Sequence, residues 1–110
     1  MSKTVIATKS APAAIGPYSQ AIKTGGFLFC SGQLGLEPAT GVLAAGVRAQ
    51  AERSMNNLKA VAEASGTTLD AVVNEVYGSF FAGDKPARST VAVASLPKGG
   101  LVEIEAIIAL

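Results

Sequence analysis

Gly83-Asp-Lys-Pro-Ala-Arg-Ser-Thr-Val-Ala-Val-Ala-Ser-Leu-Pro-Lys-Gly-Gly-Leu-Val-Glu-Ile-Glu-Ala-Ile-Ile-Ala-Leu110 is the stretch whose reading decides the fold. Gly83 to Pro86 is a turn cluster, and Arg88 to Ser95 alternates with β-prone residues. Leu96-Pro-Lys-Gly-Gly100 is a loop, and Leu101 to Leu110 is a long apolar run. The pattern predicts a β-hairpin. Two charges interrupt it. Arg88 opens the first strand directly after Pro86-Ala87, and Glu103 sits early in the second, with Glu105 two residues on and on the same face. A carboxylate in an apolar strand is costly to bury, so it needs a partner or a task.

Upstream, Lys3 to Thr8 reads as a short strand, and Ala11-Pro-Ala-Ala-Ile-Gly-Pro17 as an ordered loop. Tyr18 to Thr24 is a second strand, Gly25-Gly26 a two-residue hairpin turn, and Phe27 to Gln33 a third strand ending in Ser-Gly-Gln. Leu34 to Gly46 is a loop. Val47 to Ser65 is the clearest helix: Val47, Ala51, Met55, Leu58 and Ala62 step by three or four, Val61 broadens the stripe, and Gly66 is a natural stop. From Thr67 to Ala82, the spacing of Leu69, Val72, Val73, Val76 and Phe80 predicts a second helix. The residue types there are strand-like, and Gly78 weakens the helix.

The 110 residues suffice for one domain with one core. Apolar residues make up 49% and charged residues only 15%, and the mean hydropathy is positive. No apolar run is long enough to cross a bilayer, so the surplus apolar surface is expected to meet other subunits. No signal peptide is recognised at the N-terminus. The net charge of +1 is built from nine basic and eight acidic residues scattered singly, which gives no basic stripe for nucleic acid. The single cysteine, Cys30, excludes a disulfide framework and suits a reducing compartment, the cytoplasm or else the mitochondrion. It is read as a buried small apolar residue rather than a nucleophile. With no histidine in the chain, His triads, His metal sites and His bases are excluded, and hydrolytic chemistry must rest on a carboxylate, hydroxyls, lysine or backbone amides.

Five blocks, in this order, carry a resemblance: Ala11 to Ile22, Phe29-Cys-Ser-Gly-Gln33, Asn74-Glu-Val-Tyr77, Pro86-Ala-Arg-Ser-Thr90, and Leu96-Pro-Lys-Gly99 with Val102-Glu-Ile-Glu-Ala106. Together they resemble the RidA (YjgF) family of 2-iminoalkanoate and 2-aminoacrylate deaminases, over nearly the whole chain. The resemblance implies an α+β, chorismate-mutase-like fold: a mixed β-sheet packed on one face by two helices. One departure stands out. Relative to the family, roughly fifteen residues are absent where Val73 meets Asn74, an inner strand and its connection. The sheet would then have five strands. A first helix running through Gly66 into the second could close the gap. A strand borrowed from a neighbouring subunit, or a sequence that lost the piece in splicing or gene modelling, are the alternatives.

The resemblance also implies a site. Arg88 would clamp the substrate carboxylate, because a guanidinium fork fits it with two parallel bonds. Glu103 would activate the attacking water, and Tyr18 would donate its hydroxyl. Ser31, Gly32, Asn74 and Thr90 would bind substrate. Glu105 is read as an ordinary sheet-edge carboxylate. The reaction would convert 2-aminoacrylate or 2-iminobutanoate to a 2-oxo acid and ammonia, with no cofactor and no metal. If the hairpin loop is centred near Lys98, Arg88 pairs near Ile108 and Glu103 near Val93, which separates the two charges by about 16 Å at ~3.3 Å per residue. A site using both is then expected between subunits, in keeping with the trimers of the family. Two other readings compete with the deaminase. One is a relative impaired by the missing segment. The other is an RNA-cleaving translation inhibitor, which the lack of a basic patch and of histidine disfavours.

Overall fold

Gly25 and Gly26 take φ of 59° and 80°. A two-residue type I′ turn requires φ above zero at both central positions, and glycine supplies this at little cost. The turn closes a hairpin in which Thr24 pairs with Phe27 and Ala21 with Cys30. The computed structural model describes residues 2–67, 88, 90 and 92–109. Within them the hairpin is the middle of a four-stranded sheet of order β1-β2-β3-β4: β1 Thr4–Ile6, β2 Ala21–Thr24, β3 Phe27–Leu34 and β4 Glu103–Ala109. One helix, α1 Gly46–Ala64, packs across β3 and β4. The fold is α+β.

Period-2 alternation puts one side of the sheet into the core. Ile6, Ala21, Leu28 and Cys30 are buried with Leu58, Val61 and Ala62 of α1, and Ile104, Ala106 and Ile108 pack against them. Burying a leucine-sized side chain in this way contributes about 1.5–3 kcal/mol. The other side of the sheet is apolar too. Val5 pairs with Ile22, Ile22 with Phe29 and Phe29 with Ile107, which makes one apolar row across all four strands. Val5, Phe29 and Ile107 are exposed.

The helix keeps its stop but not its full stripe. Gly66 has φ of 86°, the Thr67 N–H donates to the Ala62 carbonyl and the Gly66 N–H to that of Glu63. These two bonds make a Schellman motif, which satisfies carbonyls that the last turn leaves unpaired. The chain therefore does not continue helically through Gly66, and a helix joined across it is ruled out. Met55, Leu58, Val61 and Ala62 are fully buried, but Val47 is 60% exposed, because the first turn reaches past the sheet. The inward face there is polar instead, with Gln50, Ser54 and Asn57 buried. The expected second helix, apart from Thr67, lies outside the described residues, as does the Val73–Asn74 joint.

One sheet expectation is corrected. β4 pairs with β3, not with the segment 88–95, whose described residues (88, 90 and 92–95) lie in no strand. Ile108 stands opposite Leu28 and Glu103 opposite Leu34, so the hairpin separation of Arg88 and Glu103 does not apply. Every pairing among the described residues is antiparallel. The reason is where the chain re-enters the sheet. A 3₁₀ turn at Pro97–Gly99 delivers Leu101 beside the end of β3, held there by an N–H bond to the Gln50 side chain (2.9 Å), and the strand can then only run back along its neighbour.

Candidate active site

β3 is bulged at its far end. Cys30 pairs with Ala106 and Gln33 with Ile104, so Ser31 and Gly32 together stand opposite the single residue Glu105. A bulge re-aims side chains and opens the ladder locally. On the other edge of β3, Ser31 is tied to the preceding loop. The Ser31 N–H donates to the Gln20 carbonyl (2.9 Å), and its hydroxyl to the Ser19 carbonyl (2.5 Å). With its proton so committed, the Ser31 oxygen can meet a ligand only as an acceptor.

Beside the bulge opens a cleft of about 350 Å³, lined among the described residues by Pro12, Ile15, Tyr18, Ser31, Gly32 and Glu103, with Gln20, Leu34 and Pro97 also on its wall. Glu103 pairs with Leu34 and reaches back over Gly32: a Cβ built on Gly32 would run into its carboxylate. A side chain at position 32 would make the carboxylate shift from this place. Glu103 and Glu105 are both exposed in the single chain.

The opposite wall is the Pro12–Tyr18 loop, and a buried glutamine holds it. The Gln20 amide nitrogen donates to the carbonyls of Thr8 (3.0 Å) and Pro12 (2.7 Å), and its oxygen accepts from the Thr8 N–H (2.6 Å). Tyr18 folds back so that its hydroxyl accepts from the Ile15 N–H at 3.4 Å. A phenol that accepts in this way still has its own proton to donate. Gln20 was not foreseen. A glutamine beside prolines and glycines gives no periodic signal, and only its hydrogen bonds to Thr8, Ala11 and Pro12 reveal its role.

Tyr18, Ser31, Gly32 and Glu103 thus meet in one cleft. Arg88 and Thr90 are exposed and are not among the described residues that line it, and Asn74 lies outside the described residues. Cys30 is buried next to the bulge, and burial pushes its thiol up to about 11, which suits the packing role expected of it. Among the described residues no cluster of histidine, cysteine or carboxylates could hold a metal ion.

The profile of the endoribonuclease L-PSP family matches residues 8–74 and 71–110, two blocks that meet where the missing segment was expected. The chain belongs to this family, the RidA family. A 2-iminobutanoate/2-iminopropanoate deaminase of Salmonella typhimurium is 45% identical over 125 aligned residues, covering 97% of each chain. Because this chain has 110 residues, at least 15 of those 125 positions have no residue here. The crystal structure of RidA from a Psychrobacter species is 43% identical, with a TM-score of 0.91 over 97% of this chain and 99% of its own. The structure of Escherichia coli TdcF with bound serine is 38% identical, with a TM-score of 0.89 over 97% of this chain and 98% of its own. RidA relatives thus include a named imine deaminase and a protein crystallised with a small amino acid.

Proposed function

We propose that this chain is a hydrolytic deaminase of small 2-imino and 2-enamino acids, with Glu103 as the base that activates water. The observation that carries the reading is the Glu103 carboxylate lying over Gly32 at the wall of a small cleft that also holds the Tyr18 and Ser31 hydroxyls. An iminium carbon is already electrophilic, so a positioned water and one carboxylate suffice. Glu103 takes a proton as the water oxygen bonds to C2. Glu103 returns that proton to the nitrogen of the carbinolamine and takes up the hydroxyl proton as the C–N bond breaks, and ammonia and a 2-oxo acid leave. Ser31, as an acceptor, suits the imine N–H, Tyr18 donates its phenol proton, and the Gly32 backbone lies alongside.

Arg88 binds the substrate carboxylate in this proposal, with Thr90 and Asn74 beside it. A neighbouring subunit delivers them, in a homotrimer with sites between its chains. What supports the assembly is the apolar row Val5, Ile22, Phe29 and Ile107, of which Val5, Phe29 and Ile107 are exposed in the single chain. The cytoplasm is the proposed location.

The test couples the protein to a threonine dehydratase and follows 2-oxobutanoate release. Acceleration that falls by on the order of 10²-fold or more in both Arg88→Ala and Glu103→Ala is expected. Sedimentation of the same preparations should give three times the 11.0 kDa chain mass. A well-folded oligomer with no acceleration would instead mark a relative that kept the fold and lost the chemistry.

A further inference from the structure

We propose that Gln50 is the positioning residue for Glu103, the tie by which helix α1 fixes the carboxylate over Gly32. The inference rests on the reading of Glu103 as the base. Three polar side chains at helical spacing point from α1 into the sheet, and all three bond backbone groups at or next to the strands that flank the cleft. The Ser54 hydroxyl donates to the Gln33 carbonyl (2.5 Å), and the Asn57 amide donates to those of Leu34 (3.0 Å) and Leu36 (2.9 Å). These two anchor β3 beyond its bulge. Gln50 alone crosses to the other strand, its side-chain oxygen accepting the Leu101 N–H at 2.9 Å.

Leu101 is two residues before Glu103 and precedes the first residue of β4. The chain arrives there from the 3₁₀ turn at Pro97–Gly99 through Gly100, a residue without side-chain packing of its own. Leu101 is itself 59% exposed, so packing does not fix its place. The hydrogen bond to Gln50 does. Gln50 is 5% exposed and cannot drift, since the Gly35 backbone is packed directly on it. The same helix therefore sets both strands whose ends meet at the site, and the Glu103 carboxylate inherits its position from α1.

Gln50→Met keeps the volume and removes the acceptor, whereas Gln50→Glu keeps an acceptor oxygen at the same reach. In the dehydratase-coupled assay, Gln50→Met should lower kcat by on the order of 10- to 100-fold with KM within about twofold, the signature of a displaced base. Gln50→Glu should recover most of that loss. Val61→Ala, a core truncation elsewhere on α1, should lower the melting temperature and leave kcat unchanged. A Gln50→Met enzyme with the wild-type kcat overturns the proposal, and so does a kcat loss that Val61→Ala reproduces. If the wild-type protein has no deaminase activity, the functional reading fails by itself. The Glu103 carboxyl resonance in carbon NMR then decides the positioning: a shift between wild type and Gln50→Met upholds it, and coincident resonances overturn it.

Discussion

The two halves of helix α1 present the same face to the same sheet and do different work there. The C-terminal half buries Leu58, Val61 and Ala62 against Leu28 and Cys30. The part that begins at the N-terminus and runs to Asn57 buries Gln50, Ser54 and Asn57 against backbone groups. Apolar packing is worth more to stability and is tolerant of small shifts. A hydrogen bond returns only about 1 kcal/mol net, because water is given up for it, but it fixes a distance. The half that holds the core stabilises the sheet, and the half that faces the cleft spends stability on position.

Leu58→Ala is the strongest test of that division. It should cost about 2–5 kcal/mol in denaturant unfolding while the activity per folded molecule stays near wild type. If activity fell in step with stability, the two halves would not be separable. Asn57→Leu should cost less, about 1–3 kcal/mol, since it strands the Leu34 and Leu36 carbonyls. Its activity should nevertheless fall by more than tenfold, because β3 loses its anchor beside Gly32. The smallest effect belongs to Cys30, at the boundary between the halves' territories. Its folded thiol is raised from 9.0 to about 11 by burial. The unfolded thiol ionises first as pH rises, so this contribution to stability is complete below pH 9 and is lost as pH climbs toward 11. Melting curves of wild type and Cys30→Ala should converge over that window.

The legible parts of the chain were those where one residue type has one physical use. Gly25-Gly26 announced a two-residue hairpin turn, Gly66 a helix stop, and Phe27 to Gln33 a strand, and each is present. Glu103 stood out as a charge in an apolar run and sits at the cleft. The segment 88–95 was misjudged because alternation identifies a strand-like stretch without naming its partner. β3 offered Leu101–Leu110 an edge in the right place, with Leu28 and Cys30 opposite Ile108 and Ala106. The polar face of α1 escaped for a related reason. Gln50, Ser54, Asn57 and Val61 lie at i, i+4, i+7 and i+11, one stripe as regular as the apolar one, but polar side chains on a helix are ordinarily read as facing water. Carbonyls freed by a bulge and a loop were waiting for them, and a linear sequence does not display those.

The bulge at Ser31 and Gly32 carries a consequence for how this strand could change. Upstream of it, even-numbered residues Leu28 and Cys30 point to the helix, and downstream an odd-numbered one, Gln33, does so. The strand thus changes phase in its middle, like a message whose frame has slipped by one letter. Deleting either Ser31 or Gly32 would restore an unbroken ladder and a better strand by every local measure. It would also remove the bulge that places both Ser31 and Gly32 opposite Glu105 at the cleft. The defect in the sheet is what the cleft is made from, and a chain selected for regularity alone would lose it first.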